Sequence, residues 1–304
     1  MRDLRGKRVL ITGAGHGVGR ELALQFASEG ATIVVTDLDA VRVESTVEFL
    51  TEAGYSAIGF RMDVSDPASV AAVRKQVKSQ IGSIDVLVNN AGVVFGGAFM
   101  DVPIEKHLAT YRVNTLGPAI VTHAFLPDLV DNPEGHCVNI ASASAMIALP
   151  NAATYASSKW AVLGFSESLR EELRINGHGH VGVTAVCPSY VGTGMFAGVC
   201  TPRFTPMLTP TRLARMIVKC VKKNKEQLLT PWLVKLIPFG RGAMHRVAFR
   251  WLCDWLRVTT SMITWNSQPP QSAASTPPPP RTPAVTTNQR PRKKTALAVD
   301  ESYP

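Results

Sequence analysis

Tyr155 and Lys159 stand four residues apart in the stretch Thr154-Tyr155-Ala156-Ser157-Ser158-Lys159. On a helix spanning 154–176, positions i and i+4 share a face, so an ammonium group would lie beside a phenol. A neighbouring cation favours the phenolate and draws the phenol below its ordinary pKa of about 10, as a general acid/base working near neutrality requires. Ser142, thirteen residues before Tyr155, closes the apolar run Cys137-Val138-Asn139-Ile140-Ala141, where a hydroxyl can hold a substrate oxygen. A Tyr and a Lys at this spacing are more often a solvated pair, so the elements around them decide the reading.

Those elements alternate. Val9-Leu10-Ile11 reads as a buried strand, followed by Thr12-Gly13-Ala14-Gly15-His16-Gly17-Val18-Gly19 and then by the helical periodicity of Leu22, Leu24, Phe26 and Ala27. Backbone N–H groups in such a turn can approach a pyrophosphate, whose charge the helix N-terminus favours. Strand 31–36 ends on Asp37, twenty-four residues after Gly13, where a carboxylate can accept from adenosine ribose hydroxyls or, as the plainer alternative, cap the next helix. A helix at 39–53 and a strand at 57–62 follow, with Asp63 and Val64 closing that strand where an adenine would lie. Then come a helix at 66–81, a strand from Val86 through Asn90, Ala91 and Gly92, a long helix at 105–130 carrying Asn114, and strands at 137–141 and 181–187, the last ended by Pro188. Continuous apolar runs in these strands predict an α/β fold with a parallel sheet covered on both faces.

Six pieces stand in the order and at the spacings of one family: Thr12-Gly13 with Gly17 and Gly19, Asn89-Asn90-Ala91-Gly92, Asn114, Ser142, Tyr155-x-x-x-Lys159, and Pro188 to Thr193. Over residues 5–230 the chain resembles the short-chain dehydrogenase/reductases. The resemblance implies a Rossmann-type doubly wound sheet of about seven strands and a Ser142–Tyr155–Lys159 centre, with Asn114 holding a water on the proton path. It implies NAD as cofactor, with NADP as the alternative, contacted by Gly13, Gly15, His16, Gly17, Val18, Gly19, Asp37, Asp63, Val64, Asn90, Ala91, Gly92, Tyr155, Lys159, Pro188, Val191 and Thr193. Thr193 would bind the carboxamide, unless it caps a following short helix. A homodimer or homotetramer through helices 105–130 and 154–176 is also implied. More narrowly, Gly13 to Gly19 and Cys187-Pro-Ser-Tyr-Val-Gly-Thr-Gly194 are similar to the subgroup acting on retinol and 17β-hydroxysteroids, whose members associate with membranes. Ser189 departs from the Pro-Gly of many members, and His16 stands where NADP-dependent relatives often carry Arg or Lys. Two rivals are a catalytically silent cofactor-binding protein and a sugar-nucleotide epimerase. The complete Ser–Tyr–Lys–Asn set disfavours the first, and the glycine spacing and short C-terminal region disfavour the second.

The 304 residues suffice for one large core. Their charge is uneven: residues 1–211 carry 16 Lys+Arg against 19 Asp+Glu, a net of −3; residues 212–265 carry 11 against 2, a net of +9; residues 266–304 carry 5 against 2, a net of +3. No nucleic-acid motif accompanies the basic third, so an anionic membrane surface is the better-fitting partner. Five scattered cysteines suggest neither disulfides nor a metal site, and together with the lack of a signal-peptide core or a spanning helix they predict a cytoplasmic protein, peripheral at most. The loop at 192–210, with Met195, Phe196, Phe204 and Met207, reads as a lid for an apolar substrate. Met244, Val247, Ala248, Trp251, Leu252 and Trp255 form an apolar stripe opposite Arg246, Arg250, Asp254 and Arg257, suited to a lipid interface or to the protein's own core. The predicted organisation is thus a catalytic domain at 1–230, a basic amphipathic extension at 231–265 and a disordered Pro-rich tail at 266–304.

Overall fold

The computed structural model describes residues 1, 3–196, 198–263 and 265; the predicted tail lies outside the described residues. Seven parallel strands, β1 (Arg8–Thr12), β2 (Thr32–Asp37), β3 (Ala57–Arg61), β4 (Val86–Asn89), β5 (His136–Ile140), β6 (Gly182–Pro188) and β7 (Gln227–Thr230), lie in the order 3-2-1-4-5-6-7. The seventh, an edge strand paired with β6, has no apolar run of its own in the sequence. Alternate residues of β1 feed two cores. Val9 and Ile11 pack with Leu22 and Phe26 of α1 (Gly17–Ser28), Leu50 of α2 (Ala40–Glu52) and Ile217 of a later helix, whereas Leu10 packs with Val73 of α3 (Pro67–Gln80), Phe125 and Leu169. Both faces of the sheet are therefore covered, and the strand order reverses between β1 and β4, which opens a crevice at their carboxyl ends.

Local chemistry explains the helix boundaries. Asp39 caps α2 and Asp66 caps α3 ahead of Pro67. At α1 the N-cap is His16, whose side chain makes no capping bond, so the first N–H groups of that helix stay open to an anion.

The single long helix predicted at 105–130 is instead three pieces: α4 (Ile104–Tyr111), a π turn (Arg112–Leu116) and α5 (Gly117–Asp131). Pro118 has no N–H to donate to the carbonyl of Asn114, so a regular α ladder cannot pass through that residue. Asn114 is wholly buried and turned towards β4. The remaining helices are α6 (Ala153–Ile175), α7 (Pro210–Lys222), capped by Thr209, α8 (Ile237–Ala243) and α9 (Arg246–Trp255). α9 is the predicted amphipathic helix with one change of face: Cys253 is buried and Leu252 partly so, while Val247, Ala248, Trp251 and Trp255 are exposed together with Arg246 and Arg250. After α9 the chain folds back, and Ser261, Met262 and Trp265 are buried.

Between β4 and β5 lies an amide network. Asn89 donates to Thr122 (2.9 Å) and to Asn139 Oδ1 (2.8 Å), and Asn139 donates to Ser166 (2.9 Å). With Asn139 fully buried, Asn139→Ala should destabilise the protein by about 2–3 kcal/mol in urea unfolding, because it strands a donor and an acceptor without water. A loss under about 0.5 kcal/mol would show that the network relaxes around the gap.

Candidate active site

The crevice lips are laced together. Asn90 Nδ2 donates to the carbonyls of Thr12 (2.9 Å) and Gly13 (3.1 Å), and Thr12 Oγ1 accepts the N–H groups of Asn90 and Ala91, both at 3.0 Å. Thr12, read in the sequence as the start of the glycine motif but not among the expected cofactor contacts, is therefore a site residue that ties the two strand ends together. Gly13 has φ +63° and approaches β4 so closely that a Cβ would stand 2.9 Å from Ala91 Cα. Gly15 likewise has no room for a side chain: a Cβ would meet Arg42 Cβ at 2.6 Å and Asp37 Oδ2 at 2.9 Å. Gly17 lies under Thr193, whose Cβ would be 3.4 Å from an added Cβ, Val18 leans on the α1-side core, and Gly19 abuts the Gly13 carbonyl.

Asp37 is not the helix cap, since Asp39 fills that place. Its Oδ2 accepts from Gly15 N–H (3.0 Å), its Oδ1 from Asp39 N–H (3.2 Å), and His16 Nδ1 lies 3.8 Å away. Burial pushes this carboxyl up, but the His16 contact and the two N–H groups outweigh it and hold Asp37 below the usual carboxylate value. Asp63 accepts from Ser65 N–H (2.9 Å) and hydroxyl (2.7 Å), and Val64 packs against Gly117. The three strand-end residues thus converge on one edge of the crevice.

At the other edge, α6 carries Tyr155 and Lys159 on one face, as their spacing predicts. Ser142 caps the short turn Ala143–Ala145, accepting Ser144 N–H at 3.2 Å, and its hydroxyl is near enough to Tyr155 to draw the phenol's pKa down against the effect of burial. Lys159 Nζ donates to the Ile140 carbonyl at 2.8 Å and lies 5.8 Å from the centre of the Tyr155 ring. Asn114 uses both amide hydrogens, on Val93 O (2.8 Å) and Ser158 Oγ (3.1 Å), while its Oδ1 accepts Val93 N–H (2.8 Å). Between Asn114 and Lys159 is a gap at Gly92, where a Cβ would stand 3.3 Å from Asn114 Oδ1 and 3.6 Å from Lys159 Nζ. Pro188 ends β6, Val191 bridges to Leu208, and Thr193 N–H donates to Val191 O (2.9 Å) without capping any helix.

The electrostatics differ from the sequence expectation. Burial pushes the Tyr155 phenol up to about 12 rather than down, with the Ser142 hydrogen bond opposing it, and burial pushes Lys159 down to about 8. The physical reason is that the site disfavours any charge not answered within it, and the nearest acceptor of Lys159 is a neutral carbonyl rather than the phenol oxygen.

A doubly wound parallel sheet whose crevice joins an open, glycine-lined helix N-terminus to a buried Ser–Tyr–Lys cluster defines a Rossmann-type α/β protein built around a dinucleotide site. Residues 7–202 match the family model for short chain dehydrogenase, and the chain belongs to that family. It is 34% identical over 264 residues to epidermal retinol dehydrogenase 2 of Homo sapiens, covering 86% of this chain and 85% of the relative. Against estradiol 17-beta-dehydrogenase 11 of Mus musculus it is 34% identical over 239 residues, covering 78% and 79%. Among solved structures, a short chain dehydrogenase/reductase from Burkholderia phymatum in complex with NAD superposes with a TM-score of 0.72 at 29% identity, covering 80% of this chain and 96% of that one.

The lowered Lys159 pKa has a measurable consequence. Between about pH 8 and its ordinary value of 10.5, the unfolded chain binds the proton and the folded chain does not, so stability should rise with pH across that window. Compared with Lys159→Met, the cofactor-free protein should gain up to roughly 3 kcal/mol between pH 7 and pH 10.5 in denaturant titrations. A parent-minus-variant difference that stays flat would show that Lys159 keeps its ordinary pKa.

Proposed function

We propose that the protein is a nicotinamide-dependent oxidoreductase that interconverts an alcohol and its carbonyl on a hydrophobic substrate. The observation that carries this reading is the placing of Tyr155 and Lys159 one helical turn apart on a buried face of α6, with Lys159 Nζ 5.8 Å from the Tyr155 ring and the Ser142 hydroxyl acting on the phenol. The residues present fit a dinucleotide. The uncapped α1 N-terminus and Gly13, Gly15 and Gly17 suit a pyrophosphate, Asp37 a ribose diol, and the gap at Gly92 beside Lys159 a second ribose. Asp63, Val64, Asn90 and Ala91 would border the adenine side, and Pro188, Val191 and Thr193 the nicotinamide side.

When bound, the cofactor supplies a two-electron hydride acceptor and a cationic ring. Ser142 holds the substrate oxygen, and Tyr155, once positive charge from Lys159 and the bound cofactor has drawn it to the phenolate, takes the hydroxyl proton as the carbon–hydrogen electron pair leaves and the carbonyl forms. Lys159 positions the ribose and places its ammonium beside the phenol. Because the amide of Asn114 is committed to Val93 and Ser158, Asn114 would act on a proton-path water mainly by holding the Val93 strand end and Ser158 in place. In the reductive direction the same Tyr155 donates a proton, for which its raised pKa suits it. The plainer rival, a catalytically silent cofactor-binding protein, leaves this whole proton apparatus without a role.

Hydrophobic substrates are favoured by the apolar rings around Tyr155 and by the retinol and estradiol named for the relatives. NAD is favoured over NADP because the carboxylate of Asp37 would repel a 2′-phosphate, against which stand the nearby guanidinium of Arg42, 3.4 Å from His16 Nδ1, and that of Arg61, the β3 residue paired with Asp37. Exposed Ile104, Leu108, Tyr111 and Trp160 on α4 and α6 would suit a homodimer or homotetramer. No described helix is long and apolar enough to cross a membrane. Trp251 and Trp255 are 72% and 56% exposed beside Arg246, Arg250 and Arg257, which supports peripheral contact with an anionic lipid surface.

Tyr155→Phe should lower kcat/KM for apolar alcohols at least ~10²-fold while NAD binding, followed by fluorescence titration, stays intact. The parent should prefer NAD to NADP in the same assay. Retained turnover in the variant would remove Tyr155 from the chemistry, and an NADP preference would show that Asp37 is answered by Arg42 and Arg61. The surface reading is checked by flotation with anionic liposomes. Binding should weaken at high salt, with each basic residue contributing about 1 kcal/mol, and disappear in the Trp251→Ser/Trp255→Ser double variant. A parent that fails to float at low salt would return that face to an oligomer contact.

A further inference from the structure

Tyr155 is only 7% exposed, so something covers the group that a substrate must reach. The cover is Phe196, edge-on to Tyr155 with centroids 5.9 Å apart at 75° and edge-on to Tyr190 at 5.3 Å and 80°. Behind it stands Trp265, 6.2 Å from the Phe196 ring and itself 5% exposed. The indole fills the space a side chain would take at Gly96, where a Cβ would lie 2.5 Å from Trp265 Cε3. A large ring is thus seated on a residue with none. The segment leading to it is anchored from within. Ser261 donates to Val258 O (2.7 Å) and therefore accepts from the buried Tyr190 hydroxyl (2.8 Å). At its start, Arg203 of the lid loop donates from its N–H to Leu256 O (2.9 Å) and from Nη1 to Trp255 O (3.1 Å).

We propose that Trp265 is a specificity-determining residue, the far wall of the substrate pocket, which limits how long or bulky an alcohol can be while still reaching Tyr155. This inference rests on the alcohol/carbonyl reading above. The hydroxyls of Ser142 and Tyr155 fix the reacting end of a substrate, and around Tyr155 the cluster of Leu149, Tyr190, Met262 and Trp265, with Val94 and Phe196, offers apolar surface. Chain length is then measured from the hydroxyls to the indole. Met262 and Trp265 supply that wall from a part of the chain more than a hundred positions beyond Tyr155 and Lys159, and Gly96 supplies the socket that seats the indole.

The test uses the full-length protein with Trp265→Ala and the conservative Trp265→Phe, both checked for cooperative thermal unfolding. Over a graded series of straight-chain and ring-bearing alcohols with NAD, Trp265→Ala should move the kcat/KM optimum to longer or bulkier members by about tenfold, through KM more than kcat. Trp265→Phe should keep the parental rank order. An unchanged rank order in Trp265→Ala overturns the proposal. Independently of turnover, nitration of Tyr155 by tetranitromethane, mapped by mass spectrometry in cofactor-free protein, should run several-fold faster in Trp265→Ala than in the parent or Trp265→Phe. Equal nitration rates overturn Trp265 as the support that holds the Phe196 cover over Tyr155. If the parent oxidises no alcohol in the series, the alcohol reading fails, and the nitration comparison alone decides whether Trp265 walls this pocket.

Discussion

Four hydrogen bonds between Thr12, Gly13, Asn90 and Ala91 hold the molecule's working geometry. They join the carboxyl ends of β1 and β4 at the place where strand order reverses, and so set the width of the crevice there. An amide and a hydroxyl do what neither strand could do alone, satisfying the loop carbonyls and N–H groups that a parallel sheet leaves unpaired at its end. The glycines follow from that closeness. With β4 drawn against Gly13 and Asp37 drawn against Gly15, side chains at either position would push the lips apart. The first turn of α1 is then presented bare at the floor of the crevice.

A second tie carries this geometry to the helix that bears Tyr155 and Lys159. Asn114 clasps both backbone groups of Val93, just past the β4 edge, and donates to Ser158, the residue before Lys159 on α6. The π turn is the conformation that lets one buried residue of a helical segment reach a neighbouring strand end and the adjacent helix together. Pro118 removes the α-helical bond that would otherwise compete. Position and acidity are therefore coupled: the same burial that orders Tyr155 and Lys159 pushes both towards their uncharged forms. A charge arriving on one side of the crevice would change that balance more than it could at a solvated site.

The parts of this arrangement visible in the sequence are those that repeat locally. Continuous apolar runs marked the strands, the helices read at 39–53 and 66–81 began at the residues that cap them although the cap considered was Asp37, and the four-residue spacing put Tyr155 and Lys159 on one face. The π turn was hidden because apolar periodicity runs on through 105–130, and only Pro118 hinted at the break. The phenol's raised pKa was hidden for a different reason. It comes from burial among side chains distant in sequence, such as Phe196, whose ring lies edge-on to Tyr155. Thr193 shows the intermediate case: its motif was legible, but its seat over Gly17 is a long-range contact.

The loop that carries Phe196, Arg203 and Phe204 is also bonded to the end of α9 in the basic third. Arg203 bonds the carbonyls at the end of α9 and lies 5.5 Å from the Trp255 ring, which Phe204 also approaches at 6.2 Å. Seven residues earlier in the same loop, Phe196 covers Tyr155. The contacts thus run from α9 through Arg203 to the loop of Phe196, and from Phe196 to Trp265 and to Tyr190, whose hydroxyl is bonded to Ser261. Since the exposed face of α9 carries Trp251 and Trp255, whatever that face touches bears on access to the tyrosine through Arg203 more directly than through the sheet.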